Sequence, residues 1–186
     1  MVTSPVKRRF SVEEYEQMGR DNILHEDDRV ELIEGEIIQM TPIGNPHHSC
    51  VNRLNELFSK QLRSEEAIVS IQNPIQLDDE SQSQPDVALL KPRADYYLER
   101  KPGHQDILLL IEVADTSLEY DRNEKIPLYA RNGIVEVWLV NLIDRALEVY
   151  RNPTAGNYEK IILEDPYRRI SPVHFTKCHL MMCKMF

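Results

Sequence analysis

The sequence predicts an α/β (α+β) domain: a mixed β-sheet flanked by helices, with a hairpin near its N-terminal end. Three observations carry this. The run "DILLLIEV" (106–113) is apolar almost without interruption, as a strand covered on both faces is. Val51, Leu54, Leu57, Phe58 and Leu62 recur at helical spacing. Further short strand-like runs follow one another with turn residues between them, in an order that mixes helices and strands.

Taken in order, the first helix begins at Ser11, because Ser11 and Glu14 have the Ser-x-x-Glu form of a capping box. "RVELIEGEIIQM" is a β-hairpin turning at Glu34-Gly35-Glu36. "TPIGNP" is a loop, and "HHSCVNRLNELFSKQLR" is the second helix, with Pro46 suited to its first turn. "AIVSIQNPIQL" and "PDVALL" are two strands joined by the polar loop "DDESQSQ". "DILLLIEV" is a central strand, followed by a loop and a helix over "DRNEKIPLYARNG", with Gly133 as its C-terminal cap. "VEVWLVN" is the next strand, and "ALEVYR" with "YEKIILE" forms a closing antiparallel pair.

A chain of 186 residues, 41% hydrophobic and 28% charged, suits one domain with a real core. No run approaches the roughly 18 apolar residues that cross a bilayer. The basic opening "MVTSPVKRRFSVEEYEQM" lacks the apolar stretch of an export signal. Three cysteines without a framework point to a reducing, cytoplasmic setting. Cys178, His179 and Cys183 lack the paired spacing of a zinc site.

The net charge of −9 excludes a general nucleic-acid coat but not an enzyme that acts on nucleic acid through a local basic surface. Lys7-Arg8-Arg9, the loop 91–101 and Arg168-Arg169 are candidates for that surface, or simply solvated faces.

The chemistry centres on two acids. Asp86 stands at the mouth of "PDVALL", and Glu112 stands near the end of "DILLLIEV". If these strands pair, the carboxylates converge. Close buried carboxylates repel unless a cation compensates, and Mg²⁺ takes oxygen ligands of this kind. The Val113 carbonyl is a further candidate ligand, and Lys125 is within reach along the chain. In the alternative reading, Glu112 ends a strand in solvent, Asp86 caps a strand edge, and Lys125 pairs with Asp121 as ordinary (i, i+4) helix decoration.

Four segments, "VELIEGEIIQM", "HHSCVNRL", "QPDVALL" and "LLIEVADTSLEYDRNEKIPLYARNGIVEVWLVNLIDRALEVYR", resemble the Uma-two-like restriction endonucleases, a branch of the PD-(D/E)xK nuclease superfamily. The resemblance runs from about Phe10 to about Pro172 and leaves a divergent tail, 173–186, within a single domain. It implies a restriction-endonuclease-like mixed sheet, and Asp86 and Glu112 as metal-binding acids with Mg²⁺ or Mn²⁺ as cofactor. The superfamily's Lys usually stands two residues after the second acid, where this chain has Ala114; the resemblance moves its role to Lys125. Pro127 lies close enough to disturb a helix carrying that Lys.

Glu31, His48 and Gln72 are secondary candidates: an extra acid, a helix-opening His and a polar neighbour of the site. Asp115, Thr116 and Ser117 are candidates for bonding water or capping a turn, while Trp138 and Tyr129 read as core. The implied function is a metal-dependent DNA endonuclease, expected to be a homodimer because two strands need two cuts. A catalytically silent nuclease-fold module for nucleic-acid binding or assembly is the alternative. A glycosidase acid pair lacks a sugar-binding aromatic array.

Overall fold

The computed structural model describes residues 6–25 and 27–186, so the first five residues of the opening segment lie outside it. Its centre is a six-stranded mixed sheet. In spatial order this runs β10 (Asn157–Leu163), β9 (Ala146–Thr154), β8 (Glu136–Asn141), β7 (Ile107–Ala114), β6 (Val87–Leu90) and β3 (Ile68–Ile71). β7 pairs antiparallel with β6 and parallel with β8, and every one of its residues is buried. A parallel pair needs a crossover. Here the segment between β7 and β8 supplies it as a helix.

Side chains alternate across β7, and the two faces of the sheet build separate cores. Leu109, Ile111 and Val113 join the core under helix α2 (Asn45–Gln61), which contributes Val51, Leu54 and Phe58. Leu110 and Ala114 join the opposite core with Ile126, Leu128 and Tyr129 from the crossover helix. Glu112 lies between Leu110 and Ala114, so the pleat aims it toward the crossover helix.

The crossover helix has three parts: α3 (Leu118–Tyr120), a π-helical turn over Asp121–Lys125, and α4 (Ile126–Arg131). The Ile126 N–H bonds back to the Asp121 carbonyl, five residues earlier. Pro127 follows directly. Its ring would clash with the carbonyl four residues before it and it donates no hydrogen bond. The wider turn ahead of the proline accommodates both facts, and the helix passes through. Gly133, at φ +72, closes it, and Ile134 bonds back to Tyr129.

A second, four-stranded sheet lies on the α4 side, in the order β2 (Glu36–Gln39), β1 (Val30–Ile33), β5 (Gln82–Ser83), β4 (Ile75–Gln76). β1 and β2 form the expected hairpin, turning on Glu34 and Gly35, both at positive φ. Helix α1 (Val12–Arg20) has both hydrogen bonds of the Ser11–Glu14 capping box.

Two expectations need correction. "AIVSIQNPIQL" is not one strand: Gln72 at φ +50 and Pro74 break it, sending β3 to the large sheet and β4 to the small one. "DDESQSQ" is not only a loop, since Ser81, Gln82 and Ser83 are buried and β5 pairs with both β1 and β4. The tail beyond 172 is an integral part of the fold. β11 (Arg169–Ile170) pairs with β12 (Leu180–Met181), and Leu180, Met182 and Met185 are fully buried in the α2-side core. Buried Glu136 ties this segment down by accepting the Val173 N–H at 2.6 Å.

Candidate active site

The antiparallel register of β6 and β7 pairs Val87 with Ile111, which carries Asp86 to the position facing Glu112. The Asp86 carboxylate also closes the end of the strand pair by accepting the Val113 N–H at 2.8 Å. Its remaining partners are His47 Nε2 at 3.1 Å and Gln72 Nε2 at 3.0 Å. Burial alone would raise the Asp86 carboxyl, but His47, the Val113 amide and Gln72 outweigh it and hold it below its ordinary value.

Glu112 is placed differently. It accepts the Tyr129 hydroxyl, and Lys125 Nζ stands 3.3 Å from the same oxygen. Lys125 also reaches Glu31 Oε1 at 3.0 Å, and Glu31 accepts the Gln84 N–H at 3.1 Å. Thus Glu31 from β1, Glu112 from β7, and Lys125 with Tyr129 from the crossover helix meet from three elements. Lys125 and Tyr129 share a helix face at the (i, i+4) spacing.

All of these groups are nearly sealed: Asp86 is 8% exposed, Glu31, Asp121 and Lys125 4%, and Glu112 3%. Burial is the largest influence on Glu112 and pushes its carboxyl up to about 8. Asp121, Asp86 and Glu31 push the same way, against Lys125. Burial also lifts Asp121 to about 6 despite Lys125 and the Ser117 hydroxyl, which donates to it at 2.7 Å. Burial pulls the Lys125 pKa down, yet Glu112, Tyr129 and Glu31 hold it well above the usual value.

The cluster forms the floor of a cleft of about 400 Å³. Asp115, Thr116 and Ser117 line it together with the segment Gln39–Gly44. Asp86, Glu112, Val113, Lys125 and Glu31 all border this space, while Gln72 acts on it through Asp86.

His48 is the exception. It is exposed and does not line the cleft; His47 stands there instead. The reason is helical phase: 47, 51, 54 and 58 are spaced four, three and four, so His47 extends the buried stripe of α2. That spacing is legible in the sequence. Lys125 also differs from the surface-pair alternative, because its ion pairs are with Glu31 and Glu112. Tyr129 is core, as expected, but its hydroxyl belongs to the site. Trp138 is fully buried against Phe58. Of the basic stretches, Lys7, Arg8 and Arg9 pair with Glu36, Glu14 and Glu80, and Arg93, Arg100 and Lys101 pair with Asp95, Asp106 and Glu16.

The fold and this geometry can be set beside known proteins. A solved structure from Anabaena variabilis ATCC 29413, titled as a putative nuclease belonging to DUF820, superposes with a TM-score of 0.73 at 17% identity, covering 95% of this chain and 97% of that one. At that identity the likeness establishes the fold. No curated protein matches. The model of the family described as "Uma2: Putative restriction endonuclease" matches residues 12–180. The match covers both acids, the crossover helix and most of the tail, and the chain belongs to the Uma2 family.

Proposed function

We propose that this chain is a divalent-metal-dependent endonuclease that hydrolyses phosphodiester bonds in DNA. The observation that supports it most is the convergence of Asp86, Glu112 and Lys125 on the floor of one cleft.

The donor set fits a hard divalent cation. Glu31, Asp86, Glu112 and Asp121 bring more acidic groups to the cleft than Lys125 offsets, and burial holds the Glu112 carboxyl well above its ordinary value. Asp86, Glu112 and the Val113 carbonyl are the proposed ligands. Bound there, Mg²⁺ or Mn²⁺ supplies Lewis-acid stabilisation of the charge that develops on the phosphate and makes water more acidic.

The chain's own groups do the rest. Lys125, held charged by Glu31 and Glu112, offers N–H donors to the nucleophilic water or to the phosphoryl oxygen. Tyr129 fixes the rotamer of Glu112 by donating to it. His47 and Gln72 do the same for Asp86, and with the Val113 amide they hold its carboxyl below its ordinary value. Glu31 positions Lys125.

The test is Mg²⁺- and Mn²⁺-dependent cleavage of DNA by the wild-type chain beside Asp86→Ala, Glu112→Ala and Lys125→Ala. Loss of cutting in each, with folding retained, is the expected result. Cutting that survives in an acid variant sinks the assignment. The silent-module reading draws on the occupation of Glu112 by Lys125 and Tyr129, and calorimetry that finds no Mn²⁺ bound to the wild type would favour it. A homodimer accompanies the endonuclease reading, and light scattering measures it.

A further inference from the structure

We infer that Arg145, Arg168, Arg169 and Lys184 form a surface that binds the phosphate backbone of duplex DNA at the end of the large sheet where the acids stand. This rests on the endonuclease reading above and names the part of the chain that holds its substrate.

Charge singles out this surface. The chain as a whole carries −9, which opposes a polyanion, so binding one needs a local excess of cations. The other basic stretches do not supply it, because Lys7, Arg8, Arg9, Arg93, Arg100 and Lys101 are each paired with a carboxylate. The segment 166–186 differs: it holds Arg168, Arg169, Lys177 and Lys184 and no Asp or Glu. Lys177 lies near Glu66 and is left aside. Arg145, Arg168, Arg169 and Lys184 are all exposed. Among the described residues no carboxylate lies within ion-pair distance of them. The acids next to them in sequence have other partners: Asp144 accepts from Asn141 Nδ2 at 2.8 Å, and Asp165 accepts the Tyr167 N–H at 2.9 Å. Four cations therefore have donors to spare for phosphate oxygens.

Connectivity puts these cations at the right end of the sheet. β7 and β8 run parallel and end together, with Ala114 opposite Asn141. Glu112, Val113 and Asp115, at that end of β7, border the cleft. The Leu142 N–H donates to the Ala114 carbonyl at 2.9 Å, which fixes the turn carrying Arg145 at the same end. The Arg145 guanidinium lies over the Phe186 ring, 5.7 Å from its centroid. The Cys183 N–H donates to the Pro166 carbonyl at 2.8 Å, and the Met182 N–H to the Arg168 carbonyl at 3.1 Å. Through these contacts Arg168 and Lys184 join Arg145, and the surface and the acids serve one end of the sheet.

The cations are also held at set spacings. Lys184 lies between the fully buried Met182 and Met185, and Arg169 is in β11 opposite Met181. Arg145 keeps a long cation at φ +53, where Gly or Asn is usual. A duplex brings its phosphates in an equally fixed array, whereas a single strand must be ordered to match. Tyr167, 76% exposed beside Arg168, offers a hydroxyl to a further phosphate or sugar.

The test uses the whole chain and a labelled DNA duplex of mixed sequence, with one of its strands alone for comparison. Binding is followed by fluorescence anisotropy in EDTA across a range of salt, and cleavage separately in Mn²⁺. Arg168→Gln combined with Lys184→Gln should weaken duplex binding at least about tenfold at about 0.1 M salt and make the log–log salt slope shallower by about two. Arg145→Gln, on a different element, should lower the slope by about one. Thermal melting should be unchanged in both, and Arg168→Lys, which keeps the charge, should bind as the wild type does. Lys7→Gln combined with Arg93→Gln, from the paired stretches, should leave affinity and slope as they are. A double variant that binds duplex like the wild type overturns the inference, as does tighter binding of the single strand. Duplex binding that depends on these cations, without Mn²⁺-dependent cleavage, supports this inference and sinks the nuclease reading. Cleavage that the double variant performs with the wild-type KM does the reverse.

Discussion

The Lys125 ammonium stands 3.3 Å from the Glu112 carboxylate, although 13 positions and a change of helix type separate them along the chain. The pair is buried, and Glu31 completes it from another sheet. Removing Lys125 therefore leaves the Glu31 carboxylate buried without its cation, beside a Glu112 carboxyl that burial holds well above its ordinary pKa. Lys125→Met is expected to destabilise the fold by about 3–5 kcal/mol at neutral pH. Adding Glu31→Gln should recover part of that loss, and urea unfolding of the three variants measures it.

Glu112 gives a pH dependence of definite sign. Its folded pKa, about 8, lies above the ordinary 4.5, so between those values the native state holds more protons than the unfolded one. Its contribution to stability is greatest below the ordinary pKa and is lost as pH rises toward 8. If the acid pair holds a divalent cation as proposed, Mn²⁺ binding should release a proton and strengthen as pH rises toward about 8, read by calorimetry in buffers of different ionisation enthalpy. Affinity that is flat over this range, without proton release, contradicts the burial argument.

Glu148 has the opposite sign. Burial would raise it, but Arg122, Lys160 and Tyr150 outweigh burial and hold it below its ordinary value of 4.5. Its stabilisation is full above that value and disappears as pH falls through the lowered folded pKa. Arg122 and Lys160 are 27% and 36% exposed, so solvent screens the pairs. Glu148→Gln should cost about 1–3 kcal/mol at pH 7 and progressively less in acid, which thermal melts across pH compare directly.

The tail can be tested through packing alone. Met182 is fully buried beneath α2, and Met182→Ala should cost about 2–5 kcal/mol in chemical denaturation. A chain ending at 172 should fail to give a cooperative transition. A cooperative melt in the shortened chain would show that the tail is an accessory.

The hairpin turn offers a backbone test. Gly35 sits at φ +77, and a Cβ there would meet Arg9 Cβ at 2.5 Å. Gly35→Ala should destabilise by about 1–3 kcal/mol, and a matched Gly19→Ala, which meets nothing nearby, should not.

Much of this molecule is legible in its sequence, for physical reasons that can be named. β7 is recognisable because burial on both faces removes alternation, and α1 because a capping box is local chemistry. Asp86 and Glu112 come together because adjacent strands pair. What stays hidden depends on long-range contact: Glu31 reaches Lys125 only once the hairpin sheet has docked, and Gln72 takes a left-handed conformation that no neighbour demands. His47 lies between these cases. Its buried phase is written in the spacing of Val51, Leu54 and Phe58, whereas its bond to Asp86 is not.

The π-helical turn has a consequence for how proteins of this kind are found. With Ala114 packed in the core, Lys125 comes to Glu112 from the crossover helix rather than from the strand, and a linear scan for an acid and a lysine two residues apart finds Glu99 and Lys101 instead. The spacing to look for starts at Glu112 and places a lysine 13 positions on and a tyrosine 17 on, with a proline between them as the sign of a widened turn.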